Sequence, residues 1–123
     1  MRQVSIFPSG CQLNHFNSIL HLSDDRIIFA SSLAVYVINA NTLVIEKVLS
    51  MCQKAVNSLS ISPFNRNLMA VGSNDGIAAV WNIDEEEVIS KVNLNQPVFV
   101  SWDPSSAYMC GLMYADAVRL CSW

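Results

Sequence analysis

The chain has 123 residues, 52% of them hydrophobic and 14% charged, with a formal net charge of −3. That is enough apolar residue for one small core and too much for a disordered chain. The seven Lys and Arg are scattered with no two adjacent, which excludes a basic patch for nucleic acid.

Residues 1–14 alternate weakly at Val4-Ser5-Ile6-Phe7 and break at Pro8-Ser9-Gly10. They read as a leader or an edge strand. An apolar run, 16–22, ends at Ser23-Asp24-Asp25. Strands are expected at 27–30, 33–38 and 43–49, separated by Ser31-Ser32 and by Asn39-Ala40-Asn41-Thr42. Residues 56–61 alternate with period two and stop at Ser62-Pro63. A polar turn, Asn65-Arg66-Asn67, leads to a short apolar strand at 68–73. The turn Asn74-Asp75-Gly76 is a strong hairpin signal, and a strand at 77–83 carries Trp81. The acidic run Asp84-Glu85-Glu86-Glu87 reads as a solvated turn before a strand at 88–94. Asn95-Gln96-Pro97 opens a third round, with strands at 98–102, 108–113 and 117–123. Its Asp103-Pro104 echoes Ser62-Pro63 at a distance of 41 residues. Helical alternatives exist at 43–50 and 85–92. The β-branched residues Val44, Ile45, Val48, Val88, Ile89 and Val92, and the matching place of both segments in the repeat, favour strands.

The order Ser62-Pro63, then Gly72-Ser73-Asn74-Asp75-Gly76, then Val80-Trp81-Asn82 resembles one repeat of the WD-repeat β-propeller family. The resemblance implies an all-β fold of four-stranded antiparallel blades, each of about 40–45 residues. Two departures stand out. Gln53-Lys54-Ala55 replaces the family's Gly-His pair, and Asn82 replaces its final Asp. Aligning residues 35–38 with 80–83 puts Tyr36 at the position of Trp81. The expected organisation is a leader or edge strand at 1–14, blade 1 at 15–50, blade 2 at 51–94 and an incomplete blade 3 at 95–123. Propellers close with about four to eight blades. The chain therefore reads as the amino-terminal part of a longer propeller protein, whose remaining blades would cover its open faces.

In the family the hairpin Asp takes part in a network with the Gly-His histidine, a strand Ser or Thr, and the Trp indole. Carried over, Asp75, Ser73 and Trp81 match and the histidine does not, so the resemblance implies a partial, structural network. Without it, Asp75 simply makes the turn. Trp102 and Trp123 read as core, His21 as a structural histidine, and Asp24-Asp25 as a turn.

Cys11, Cys52, Cys110 and Cys121 form no C-x-x-C pair and stand at no zinc spacing to His15 or His21. They read as buried free thiols in a reducing compartment. No window holds 18 uninterrupted apolar residues, and residues 1–10 show no secretory signal pattern, so no membrane partner is expected and the protein reads as cytoplasmic. There is no G-x-S-x-G, P-loop or G-x-G-x-x-G, so neither cofactor nor catalytic residue is expected. The reading is a non-catalytic scaffold for other proteins. The alternative is a propeller-type enzyme whose catalytic residues lie outside this stretch. The partner-binding residues expected on one rim are Gln53, Lys54, Asn95 and Gln96. With Asn74, Asp75 and Asp116 beside them, they make a nearly neutral, hydrogen-bonding surface.

Overall fold

The computed structural model describes residues 2, 19–23, 25–31, 34–50, 56–105, 109–114 and 117–122. Among them the chain forms eleven strands and no helix, so none is long and apolar enough to cross a membrane. The first sheet has the order β1 (Ile19–Ser23), β2 (Arg26–Ala30), β3 (Val35–Asn39), β4 (Val44–Leu49). The second has β5 (Val56–Ile61), β6 (Leu68–Ser73), β7 (Ile77–Asn82), β8 (Glu87–Asn93). In the third, β9 (Val98–Trp102) and β11 (Ala117–Ser122) flank β10 (Met109–Tyr114). Neighbouring strands are antiparallel throughout.

Strands β5, β6 and β9 span the residues expected from sequence. The others shift by one to three residues, and both segments with a helical alternative are strands. Turn chemistry explains a typical shift. The Asn39 side-chain oxygen accepts hydrogen bonds from the N–H groups of Asn41 (2.9 Å) and Thr42 (3.1 Å). Leu43 then takes φ 58°, which holds it in the turn, and β4 starts one residue later. The echo between Ser62-Pro63 and Asp103-Pro104 is physical. Ser62 Oγ accepts from the N–H groups of Phe64 (3.3 Å) and Asn65 (3.2 Å). Asp103 Oδ1 accepts from the hydroxyl (2.7 Å) and the N–H (2.8 Å) of Ser105. These bonds from Ser105 hold the Asp103 carboxyl below its usual range. Their contribution is present above the ordinary carboxylate value and fades as pH falls through the lowered one.

The sheets meet face to face. Ile28, Val35, Val37 and Leu49 of the first sheet pack on Leu59, Met69, Val71, Ala79 and Trp81 of the second in one buried cluster. In the second sheet a row runs across the strands through Ile61, Met69, Trp81 and Val88. The matching row of the first sheet holds Ile27, Ile38 and Ile45, while Phe29 and Tyr36, stacked with ring centroids 5.1 Å apart, stand in the row that matches Val71 and Ala79. The expected alignment of Tyr36 with Trp81 is therefore off by two residues: the shared bulge puts Ile38 at the Trp81 position and Tyr36 at that of Ala79. Ile27, Ile45 and Val48 of the first sheet stay exposed, at 38%, 42% and 50%. Both fourth strands carry a bulge at the same place, with Glu46 and Ile89 as the extra residues.

The second seam is tighter at its inner edge. Leu68, Ala70, Ala78 and Val80 pack on Val98, Val100 and Trp102. The hydroxyl oxygens of Ser58 and Ser60 accept the N–H groups of Val100 (2.9 Å) and Trp102 (2.8 Å), so β5 satisfies part of the backbone of β9. Gly72 makes this approach possible, because a Cβ there would stand 2.5 Å from the Val98 carbonyl oxygen. A backbone atom cannot swing aside as a side-chain tip can. Gly72→Ala is expected to lower stability by about 1–3 kcal/mol through overpacking, read as an earlier urea midpoint. An unchanged midpoint would show that the sheets do not meet there.

Candidate interaction site

The turn between β6 and β7 is built by three residues. Gly76 takes φ +86°, a conformation costly for side-chain-bearing residues. Its N–H reaches the Ser73 carbonyl at 3.3 Å. The Ser73 hydroxyl donates to the Asp75 carboxylate and lies 3.2 Å from the Ile77 carbonyl oxygen. The Ser73 side chain therefore ties the start of the turn to its end.

This turn does not stand alone. The Gly76 carbonyl accepts the Leu94 N–H at 2.9 Å. A Cβ on Gly76 would lie 2.7 Å from the backbone nitrogens of both Asn95 and Gln96. The connection from β8 to β9 is thus pressed against the hairpin, and Asn95, with φ 58°, turns the chain away. The Asn93 side-chain oxygen accepts the Asn95 N–H at 2.9 Å. Asn95, Gln96 and Pro97 are exposed, while Asn74 and Asp75 are half-buried. Of the residues expected at this rim, Asn74, Asp75, Asn95 and Gln96 are brought together. Gln53, Lys54 and Asp116 lie outside the described residues.

Trp81 is 7% exposed and held by packing, in the cluster that joins the first two sheets. Among the described residues its indole makes no hydrogen bond to Ser73. One residue escaped sequence reasoning. Asn57 is the extra residue of a bulge between Val56 and Ser58, next to the pairing of Val56 with Ser73. It is buried, and neither its amide nitrogen nor its oxygen has a partner. A period-two strand gives no signal for such an insertion.

The opposite end of the sheets is a stitched seam. Arg26 pairs with Asp84 at 3.2 Å and with Glu46 at 3.5 Å. Lys47 donates to the carbonyls of Ile83 (3.1 Å) and Asp84 (2.6 Å). Asn67 donates to Asn82 at 2.7 Å and accepts from the Asp84 N–H at 2.8 Å. The side chain of Arg66 donates to the Leu22 carbonyl. A shallow cleft of about 210 Å³ lies among Leu22, Arg26, Arg66, Asn67 and Asp84. Asp84 to Glu87 are all exposed, but Asp84 is already engaged by Arg26.

No family model matches the chain. A stretch of 51 residues is 36% identical to protein transport protein SEC31 of Yarrowia lipolytica (strain CLIB 122 / E 150), covering 41% of this chain and 4% of that protein. The fold is similar to the crystal structure of the Cps50 (Swd1) β-propeller domain of Myceliophteria thermophila, at a TM-score of 0.79 and 16% identity. That match covers 95% of this chain and 37% of the domain. The chain therefore spans a small part of the one and little more than a third of the other. The fold is that of a partial β-propeller. The first two sheets are four-stranded blades, the third has three strands, and no ring closes.

Removing the Asp75 carboxylate leaves the Ser73 hydroxyl without that acceptor at a nearly closed turn. Asp75→Ala is expected to cost about 1–2 kcal/mol in urea denaturation. Arg26→Ala, which breaks only half-exposed ion pairs, should cost no more than about 1 kcal/mol. Reversal of that order would mean that the seam, not the hairpin, holds the second blade.

Proposed function

We propose that the chain is the amino-terminal part of a WD-repeat propeller protein and that this protein is a non-catalytic scaffold for other proteins. The match to a propeller domain supports the fold, and the Ser62-Pro63, Asp75-Gly76 and Trp81-Asn82 elements support the family. Arg2-Gln3-Val4, Gly10-Cys11-Gln12, Phe29-Ala30, Leu33-Ala34-Val35-Tyr36 and Ala79-Val80-Trp81-Asn82 resemble, in order and spacing, the start of WD repeat-containing protein 17. That resemblance implies further blades and then a helical region. The protein works in the cytoplasm and holds neither cofactor nor nucleic acid.

The observation that carries the choice of surface is the joined pair of turns. Gly76 packs on the backbone of Asn95 and Gln96, which gives a firm rim with exposed amide side chains. The sequence repeat assigns Gln53 and Lys54 to the same rim, and in this reading Asp75, Ser73 and Trp81 keep structural roles behind it. A rim of amides with one cation suits a folded protein or a peptide better than a polyanion. The unpaired Asn57 amide stands at this end of β5.

Lys54→Glu combined with Gln96→Ala is expected to weaken partner capture by the full-length protein about fivefold to tenfold, equivalent to about 1–1.4 kcal/mol. The melting temperature should not fall. Affinity purification with quantitative mass spectrometry measures the first and calorimetry the second. Unchanged capture, with loss on neutralising Asp84 to Glu87, would move the binding surface to the opposite rim.

A further inference from the structure

We propose that the Asp75–Gly76 peptide is a latent isoaspartate site, held unreacted by Ser73 and open to isoaspartyl methyl transfer once that clamp is lost. In an Asp–Gly pair the glycine nitrogen can attack the aspartate carboxyl carbon with little hindrance, because glycine carries no side chain beside it. Of the four glycines, only Gly76 follows an Asp or an Asn.

The turn cannot escape this pair by changing residue. Gly76 takes φ +86°. A Cβ there would stand 2.7 Å from the backbone nitrogens of Asn95 and Gln96 and 2.9 Å from the Gln96 carbonyl oxygen. Only glycine fits. Asp75 in turn supplies the carboxylate that accepts the Ser73 hydroxyl. The packing of two turns therefore imposes the most reactive dipeptide on the hairpin.

One residue holds both atoms that would react. The Ser73 hydroxyl donates to the Asp75 carboxylate and fixes its side-chain torsions. The Ser73 carbonyl accepts the Gly76 N–H at 3.3 Å. Ser73 itself is fully buried between them and the Ile77 carbonyl. Gly76 is also buried, and its own carbonyl accepts the Leu94 N–H at 2.9 Å. Closing a five-membered ring needs the carboxyl group to swing over the Gly76 nitrogen and that nitrogen to leave the turn. Both movements break a bond to Ser73.

The chemistry balances without an oxidant or a metal. The Gly76 nitrogen bonds to the Asp75 side-chain carboxyl carbon. The hydroxyl of the acid form leaves with the amide proton as one water, and a succinimide remains. Water then adds at the Asp75 main-chain carbonyl and breaks its bond to the Gly76 nitrogen. The product has unchanged mass, a main chain routed through the side-chain carbons and a free α-carboxylate. An isoaspartyl methyltransferase moves a methyl group from S-adenosylmethionine to that carboxylate and releases S-adenosylhomocysteine. The main chain is now one carbon longer, so Gly76 can no longer keep both its seat against Asn95 and Gln96 and its bond to Leu94. The inference stands on the turn alone and does not depend on which rim binds a partner.

The test ages the full-length protein in native buffer and in concentrated urea. Isoaspartate is then counted by methyl transfer from S-adenosylmethionine and located in the tryptic peptide 67–91. The native protein should accumulate it at least about tenfold more slowly than the protein in urea. Ser73→Ala should raise the native rate about tenfold, the factor that a lost hydrogen bond to a charged group is worth. The product should have the parent mass and a shifted retention, and hydrogen exchange at Leu94 should quicken in it. Should Ser73→Ala fail to fold, Ser73→Cys takes its place, since it keeps the size and offers only a weak donor. Equal rates in buffer and urea would overturn the proposal. So would an unchanged rate in a folded Ser73 variant, or methyl-accepting peptides whose mass has risen through deamidation of an asparagine.

Discussion

Everything in this structure depends on covering the apolar face of one sheet with the face of the next. The first two sheets share a single buried cluster that includes Ile28, Val37, Leu59, Met69 and Trp81. Burial of one such side chain is worth about 1.5–3 kcal/mol. An exposed ion pair such as Arg26 with Asp84 is worth about 0–1 kcal/mol. The apolar seam therefore supplies the attraction, and the polar stitching selects the geometry in which it is satisfied. Lys47 on the carbonyls of Ile83 and Asp84 is a directional contact of that kind, since it can form only when the sheets are correctly offset.

The second seam shows the same division of labour by different means. Here the inner strands come so close that β9 donates backbone hydrogen bonds to serine hydroxyl oxygens on β5. Two small residues permit it, serine as acceptor and Gly72 as a gap. Trp102 then fills the inner end of the row that Trp81 fills from the third strand in the second blade. The repeat thus conserves the filling of the row while changing which strand supplies the bulk. In the first blade the same row holds Ile27, Ile38 and Ile45 and no aromatic residue.

How much of this was legible follows from the range of each interaction. Turns are local, so Ser62-Pro63 and Asn74-Asp75-Gly76 marked the ends of β5, β6 and β7 within a residue. The hydrogen bond between Ser73 and Asp75 spans two residues, and that part of the site was within reach of sequence reasoning. Arg26 and Asp84 are 58 residues apart, and Ser58 and Val100 are 42 apart. Nothing in either neighbourhood announces the other. Bulges were hidden for another reason. Inserting Asn57, Glu46 or Ile89 changes which face a residue takes without changing composition. A strand with a clean alternation and one with a bulge look alike until the partner strand is known.

The two ends of the blades differ in how their polar groups are used, and that difference argues for where a partner docks. At the seam end, Arg26, Glu46, Lys47, Asn67 and Asn82 are committed to neighbouring strands. A partner binding there would have to compete with bonds that hold the sheets in offset. At the other end, Gly76 and the backbone of Asn95 and Gln96 brace each other through close packing and the bond from Leu94. The exposed side chains there sit on a support that is already ordered. Binding loses about 0.5–1.5 kcal/mol for each flexible side chain it immobilises. A braced turn lowers the backbone share of that loss while leaving the amides free to choose their partners. The same bracing explains why a glycine, and not only the hairpin signal, is needed at position 76. Any side chain there would push the two turns apart and leave the amides on separate, less ordered supports.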